Sequence, residues 1–123
     1  MAGVRSKNTA PEIAVRSALH GLGFRFRLHR RDLPGTPDIV LPKHQLCIFV
    51  HGCFWHHHER CSRASMPANN MAFWHAKFEG TRRRDRQSLT QLRQMGWRAI
   101  VVWECQTRDR PQLEQLIRHI LKH

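Results

Sequence analysis

The 123-residue sequence has few acidic residues and no long hydrophobic run. Only 9 residues are Asp or Glu, against 21 Lys and Arg. No apolar run approaches the roughly eighteen residues that a membrane-spanning helix needs, and residues 1–8 lack the hydrophobic segment of a signal peptide. These absences exclude an integral membrane protein and favour a cytoplasmic one. Internal repeats and low-complexity linkers are also missing, so we expect a single domain over residues 1–123 with a short arm at residues 1–8.

The excess of basic residues indicates a polyanionic partner. The formal net charge is +12 before the 10 histidines are counted, and 41% of the residues are hydrophobic. Charge spread among apolar positions is typical of a folded basic domain, for which nucleic acid is the first candidate partner. Runs such as Arg82–Arg84 also occur on ordinary solvated helix faces, and only the overall imbalance favours phosphate contacts.

The four cysteines are better explained as metal ligands than as disulfides, because histidines are interleaved with them. Cys53 and Cys61 bracket three consecutive histidines and a glutamate, and Cys105 could complete a tetrahedral zinc site once the chain folds back. Phe54 and Trp55 lie inside this loop, where they could either cover the metal or project towards a partner. Cys47 lies in an apolar run and is expected in the core.

The order of helical and strand patterns predicts an α/β fold. Helix one is expected at about residues 10–21, a half-exposed strand at residues 24–29, and a turn at residues 33–36. Two apolar strands should follow at residues 38–41 and 46–50. Gly80 and Gly96 are expected to end helices at about residues 70–79 and 81–95, before a buried strand at residues 97–103 and a last amphipathic helix from Pro111. A central mixed sheet flanked by helices fits this order.

Several carboxylates occupy positions where chemistry is plausible. Asp38 stands at the mouth of an apolar strand, where it could bind a hard cation such as Mg²⁺ or simply cap the preceding turn. Asp85 shares a helical face with Leu89 and should point inwards, so it needs a partner. Glu12 follows Thr9 at the spacing of a helix capping box, which could be its whole role.

Four segments resemble one protein family in order. They are Leu-Pro-Gly-Thr-Pro-Asp-Ile-Val at residues 33–40, Phe-Val-His-Gly-Cys-Phe-Trp-His-His-His at residues 49–58, Arg-Asp-Arg at residues 84–86 and Val-Val-Trp-Glu-Cys at residues 101–105. Together they look like Vsr, the very-short-patch-repair mismatch endonuclease family. The likeness runs from about Met1 to Arg110.

The resemblance implies a restriction-endonuclease-like fold and Mg²⁺-dependent nicking of double-stranded DNA at T:G mismatches left by deaminated 5-methylcytosine. It assigns Asp38 as the Mg²⁺ carboxylate and the backbone oxygen of Val50 as the second protein contact. His51 and His56 match the catalytic histidines, and their division of labour stays open. Glu12 and Asp85 match the family's acids that assist these histidines. The implied partners are the mismatched duplex and other mismatch-repair proteins, and we expect a monomer.

The resemblance also implies a structural Zn²⁺ site and a DNA wedge. The zinc ligands would be Cys53, His58, Cys61 and Cys105, although one extra residue before Cys61 could move ligation to His57. The wedge would be Phe54 and Trp55. Met1 aligns near a side chain that the family inserts through the minor groove. The family normally has a longer arm before the segment that residues 1–8 resemble, which weakens the expectation of intercalation from the minor-groove side.

Two alternatives share these features. A zinc-stabilised module could bind distorted DNA without cutting it, and a nuclease of the same fold could act on another DNA substrate. Dependence on Mg²⁺ and on Asp38 separates the first from a nuclease, and a panel of substrates separates the second.

Overall fold

The computed structural model describes residues 9–53 and 69–122. In chain order its elements are α1 (Ala10–Gly21), β1 (Arg27–Leu28), β2 (Ile39–Leu41), β3 (Leu46–His51), α2 (Met71–Gln94), β4 (Arg98–Trp103) and α3 (Arg110–Lys122). Short 3-10 turns occupy Pro42–His44 and Glu104–Thr107. The predicted coarse order of a helix, several strands, a helical region, a strand and a last helix is confirmed. No helix within the described ranges has the length and apolar content needed to cross a membrane.

The strands form one mixed sheet in the order β1-β2-β3-β4. β2 pairs antiparallel with both β1 and β3, whereas β3 and β4 run parallel in a register that joins His51 to Trp103. The tight connection at Pro42–His44 suits an antiparallel pair, and the parallel pair needs the long crossover that contains α2. The predicted central mixed sheet with flanking helices is confirmed.

The two faces of the sheet pack against different helices. One face carries Ile39 and Ile48 and packs with buried residues of α1 and α3, including Leu19 and Ile117. The other face carries Cys47 and Phe49 and packs with Leu92 of α2. Since successive side chains of a strand point to opposite faces, β3 serves both cores. The predicted burial of Cys47 is confirmed, because its side chain has no exposed surface.

Local sequence accounts well for α1. The hydroxyl of Thr9 accepts a hydrogen bond from the backbone N–H of Glu12 at 3.4 Å, and Pro11 occupies the first turn, where its missing N–H costs nothing. The apolar positions Val15, Ala18 and Leu19 then face the core. The helix ends where Phe24 N–H reaches back to the carbonyl of Leu19 at 3.0 Å, with Gly23 at φ +88°.

Two predictions about the elements were wrong. Gly80 does not separate two helices, because α2 runs unbroken from Met71 to Gln94. A glycine inside a helix costs only about 1 kcal/mol relative to alanine, which neighbouring turns can offset. The expected strand at residues 24–29 is reduced to Arg27–Leu28, and Leu28 is 38% exposed instead of buried. β1 is an edge strand that pairs only with the three-residue β2, and at Leu28 no core covers the side that alternation assigns to it.

Candidate active site

Most of the chemically distinctive residues collect at one edge of the sheet. β1 and β3 both run antiparallel to β2, so they end where β2 begins, and β4 ends beside β3. This edge therefore holds the last residue of β3, residues that closely follow the ends of β1, β3 and β4, and the residue before β2. They are His51, His29, Cys53, Cys105 and Asp38. The sheet topology brings together residues that lie up to 76 positions apart between His29 and Cys105 in the sequence.

Asp38 lies at this edge, immediately before β2. Its Oδ2 accepts a hydrogen bond from the backbone N–H of Val50 at 2.7 Å. Burial raises the pKa of the Asp38 carboxyl to about 7; the Val50 N–H opposes that rise, and the neighbouring Glu12 carboxyl adds to it. A carboxyl that is costly to ionise in this position would be stabilised as an anion by a bound cation.

Glu12 is brought to Asp38 from α1. Its side chain is only 2% exposed, and its Oε1 accepts from Arg16 at 2.5 Å and lies 3.0 Å from Nε2 of His29. The backbone N–H of Glu12 bonds Thr9 as the capping motif predicts, but the carboxylate is buried beside two polar side chains. Glu12 therefore does more than cap α1.

Three of these groups have the arrangement of metal ligands. One potential ligand atom each from Glu12, His29 and Asp38 lies within 4.8 Å of the other two. Val50 can add a fourth, because the N–H and C=O of a strand residue point to the same side and its N–H points at Asp38. Carboxylate and carbonyl oxygens are ligands that Mg²⁺ prefers. The donor set thus fits a divalent cation.

His51 lies on the opposite face of the sheet from Val50. Its side chain is buried, its Nδ1 lies 3.7 Å from Oδ2 of Asp85 on α2, and its ring meets that of Trp103 edge-on with centroids 5.2 Å apart. Asp85 is 24% exposed, in agreement with the prediction that it points inwards towards a partner. Packing against Trp103 restricts the imidazole and directs Nδ1 towards the carboxylate, an arrangement suited to proton transfer.

Two of the four expected zinc ligands lie within the described residues. β3 and β4 pair His51 with Trp103, so Cys53 and Cys105 each follow two residues beyond the same register pair. The backbone N–H of Cys53 donates to Oε1 of Glu104 at 3.3 Å, which further ties the two strand ends together. The sheet therefore places both thiols at one edge, as a shared metal site requires.

Other predicted residues fall outside the described ranges. They are Met1, Phe54, Trp55, His56, His57, His58 and Cys61. Among the described tryptophans, Trp74, Trp97 and Trp103 are all only partly buried. Trp97 packs against the α2-facing core and also receives the guanidinium of Arg30 at 5.7 Å from its ring centroid.

Sequence reasoning missed His29. The alternation of residues 24–29 placed it among the exposed cations of a strand, yet it lies beyond β1 and turns towards Glu12. Its backbone N–H donates to the carbonyl of Asp38 at 3.1 Å, and its φ is +48°. A hairpin register centred on the predicted turn at residues 33–36 would have paired His29 with Val40, two residues away from its observed partner Asp38, so the sequence carried no signal for this contact.

The turn between His29 and Asp38 is held by a backbone hydrogen bond and packs closely against α2 and β3. Thr36 N–H donates to the carbonyl of Leu33 at 3.1 Å, which confirms the predicted turn. A Cβ added to Gly35, at φ +76°, would lie 2.5 Å from Oγ of Ser88 and 3.1 Å from the Phe49 ring. Only glycine allows the turn to approach α2 and β3 this closely.

Comparisons with known proteins identify the family. The sequence model of the DNA mismatch endonuclease Vsr family matches residues 1–63. The chain is 53% identical over 121 residues to the type II nicking enzyme V.XorIIP of Xanthomonas oryzae pv. oryzae, covering 98% of this chain and 88% of the relative. It is 41% identical over 113 residues to the DNA mismatch endonuclease Vsr of Escherichia coli, covering 92% and 72%. A third relative, V.NmeAIP of Neisseria meningitidis, is 40% identical and covers 98% and 88%. The chain therefore belongs to the Vsr family.

Proposed function

We propose that this protein is a Mg²⁺-dependent, strand-specific DNA endonuclease that nicks on the 5′ side of the thymine in a T:G mismatch. Relatives that cover most of the chain are named as a DNA mismatch endonuclease and as nicking enzymes. The single observation that carries the proposal is Asp38, a partly buried carboxylate beside Glu12 and the Val50 backbone at the sheet edge of a Vsr-family chain.

Asp38 and the carbonyl oxygen of Val50 would hold the Mg²⁺ ion. When bound, the ion supplies positive charge that neutralises a phosphate oxygen and the developing charge on the leaving oxygen. The pairing of β2 with β3 sets the position of Asp38 relative to Val50, and the 2.7 Å hydrogen bond to the Val50 N–H orients the carboxylate. A site built on paired strands keeps its ligands in place without moving the backbone.

His51 and His56 would move the protons. An imidazole near neutrality can accept a proton from the attacking water, and a second can protonate the leaving 3′ oxygen, which gives a 5′-phosphate and a 3′-hydroxyl. Asp85, whose Oδ2 is 3.7 Å from His51 Nδ1, would orient the imidazole. Glu12 would assist on the α1 side of the sheet, where its carboxylate lies beside the proposed cation site.

Recognition of the mismatch is proposed for Phe54 and Trp55, with Met1 as a contact from the opposite groove. Unstacking a base step costs a few kcal/mol, less at a mismatch, and stacking on aromatic rings can offset that cost. The exposed arginines of α2, including Arg83, Arg84 and Arg86, would contact phosphates, and the net charge of +12 supports this assignment.

A structural Zn²⁺ ion would be held by Cys53, His58, Cys61 and Cys105, with His57 as the alternative imidazole. Three thiolates and one imidazole close a tetrahedron and leave no position for a reacting water. The proximity of Cys53 and Cys105 in the strand register supports two of these four ligands.

The test is nicking of end-labelled duplexes, T:G mismatched against fully paired, with Mg²⁺ or with EDTA. We expect cutting of the thymine strand only with Mg²⁺, and a loss of at least about a hundredfold in Asp38→Ala, because the cation contributes several kcal/mol to the transition state. Asp32→Ala, an exposed acid six residues earlier, is the matched control.

The outcomes separate the alternatives. Tight binding of the mismatched duplex without cutting would replace the proposal with a zinc-stabilised recognition module. Equal cutting of paired and mismatched duplexes would retain the nuclease and reject the mismatch substrate. Undiminished nicking by Asp38→Ala would reject the assigned cation site.

A further inference from the structure

We propose that His29 is an additional inner ligand of the divalent cation at Asp38, so that the site contains nitrogen as well as oxygen ligands and favours Mn²⁺ over Mg²⁺ more strongly than oxygen ligands alone would. This inference rests on the proposed cation site and extends it by one residue. Neither the sequence motifs nor the resemblance assigns His29 a role.

The distances among the three side chains suit direct ligation. Two neighbouring ligands of an octahedral ion with bonds of about 2.1 Å are about 3.0 Å apart, and two opposite ligands about 4.2 Å apart. His29 Nε2 and Glu12 Oε1 are separated by 3.0 Å, and all three ligand atoms of the cluster lie within 4.8 Å of one another. An ion can therefore enter this cluster with only small side-chain movements.

The ligands come from independent, well-anchored parts of the fold. His29 is fixed by the hydrogen bond from its N–H to the Asp38 carbonyl at 3.1 Å, and Asp38 by the Val50 N–H at 2.7 Å. Glu12 is held on α1 by Arg16. Together with the Val50 carbonyl on the same side of β3, the side chains offer a preformed partial shell that does not require reorganisation of the backbone.

The chemical nature of the ligands predicts the metal preference. Mg²⁺ strongly prefers oxygen ligands, whereas an imidazole nitrogen suits first-row transition ions. Adding His29 to two carboxylates and a carbonyl therefore raises the affinity for Mn²⁺ more than that for Mg²⁺. The guanidinium of Arg16, paired with Glu12, offsets part of the negative charge of the two carboxylates.

The experiment measures Mn²⁺ binding to the full zinc-loaded chain without DNA. The free Mn²⁺ signal in electron paramagnetic resonance gives the dissociation constant, competition with Mg²⁺ gives the preference, and electron spin echo modulation detects a coordinated nitrogen. The test variant is His29→Asn, because asparagine tolerates the left-handed backbone found at this position yet is too short to place a ligand atom where Nε2 lies. His20→Asn, which removes an exposed imidazole of α1, is the matched control.

We expect Mn²⁺ binding to weaken on the order of tenfold or more in His29→Asn, with a smaller loss for Mg²⁺ and disappearance of the nitrogen modulation. His20→Asn should match the parent in all three readouts. If His29→Asn lowers the melting temperature strongly, His29→Gln, a longer side chain, is measured in its place. Unchanged Mn²⁺ affinity and unchanged nitrogen modulation in a folded variant would overturn the inference and leave His29 as a hydrogen-bond partner of Glu12.

Binding and nicking separate this inference from the proposed function. A parent protein that binds Mn²⁺ through nitrogen but does not nick mismatched DNA would retain the His29 site and reject the endonuclease. A parent that nicks in Mg²⁺, with a His29→Asn variant that binds Mn²⁺ as tightly, would reject the His29 ligand and retain the endonuclease.

Discussion

The two faces of the sheet present different chemistry at the same edge. On the α1 side, Glu12, His29 and Asp38 form a group with two carboxylates and one imidazole, which we call the acid–histidine cluster. On the α2 side, His51 stands 3.7 Å from Asp85. The two groups meet at consecutive residues of β3, since the Val50 N–H contacts Asp38 while the His51 side chain points to the other face.

The difference teaches how one strand can separate cation binding from proton transfer. The α1 side brings together the carboxylates of buried Glu12 and partly buried Asp38, which suits a divalent cation. The α2 side offers an imidazole with one carboxylate and a packed aromatic ring, which suits a proton acceptor or donor. Because successive residues of a strand point to opposite faces, β3 alone brings the two groups to the same edge of the sheet.

The largest effect should come from removing Cys105, which we propose to bind zinc together with Cys53 just beyond the ends of β3 and β4. Structural zinc can contribute on the order of 10 kcal/mol to folding, so Cys105→Ala should lose zinc and unfold, disrupting both faces at once. Metal analysis and thermal unfolding measure the effect. The matched control is Cys47→Ala, which removes a buried thiol from the core and should keep one zinc per chain. Full zinc content and parental melting in Cys105→Ala would contradict the assigned ligand set.

A second prediction separates the two faces. In His51→Gln we expect nicking to fall by about 10² to 10⁴-fold, because general acid or base catalysis is lost, while Mn²⁺ affinity stays at the parental value. Asp38→Ala should instead lose both. Single-turnover nicking and paramagnetic resonance titration are the two measurements. A fall in Mn²⁺ affinity in His51→Gln as large as that in Asp38→Ala would show that the faces are not independent.

The smallest expected effect is a pH dependence of stability on the α1 side. Burial, opposed by the Val50 N–H and reinforced by Glu12, raises the pKa of Asp38 to about 7, so between the ordinary carboxyl range and pH 7 the folded state holds a proton that the unfolded state has lost. The Asp38 contribution to the free energy of unfolding must therefore fall as pH rises through this window and level off above it. Urea unfolding of the zinc-loaded, Mg²⁺-free chain from about pH 5 to 8 measures it.

The control for that slope is Asp38→Asn, which removes the titration while other histidines continue to titrate. The difference between parent and variant should shrink towards low pH, where the parent carboxyl is neutral in both states. Mg²⁺ should flatten the parental slope, because the cation replaces the proton. A difference that does not change with pH would contradict the raised pKa.

Helix and strand positions were predictable where local signals agreed with packing. The Thr9 cap, Pro11 and the apolar spacing of α1 located that helix within residues 10–21, and the apolar runs located β2 and β3. The predicted helix end at Gly80 was wrong because glycine disfavours a helix by only about 1 kcal/mol, and α2 continues on both sides of it. The edge strand β1 misled for a similar reason, since alternation predicts burial only where a core covers one side.

The candidate site was predictable in its residue types and less so in its grouping. Asp38 and Glu12 were singled out from the sequence, and the fold brings them together, whereas His29 was read as one more exposed cation. Its role depends on the β1–β2 register and on a left-handed backbone at His29, neither of which periodicity expresses. The backbone of Val50 has no sequence signal of its own, because any residue carries the same carbonyl group.

By itself the sequence determined the basic surface, the order of elements, the cysteine and histidine spacing and the family, because these follow from residue identity and from neighbours along the chain. Only the tertiary structure decided which groups share a face. The antiparallel pairing of β2 with β1 and β3 places Asp38 beside His29 and Val50, and the long crossover through α2 brings Asp85 to His51. Such contacts depend on strand register and chain reversal, which arise from the packing of the whole sheet.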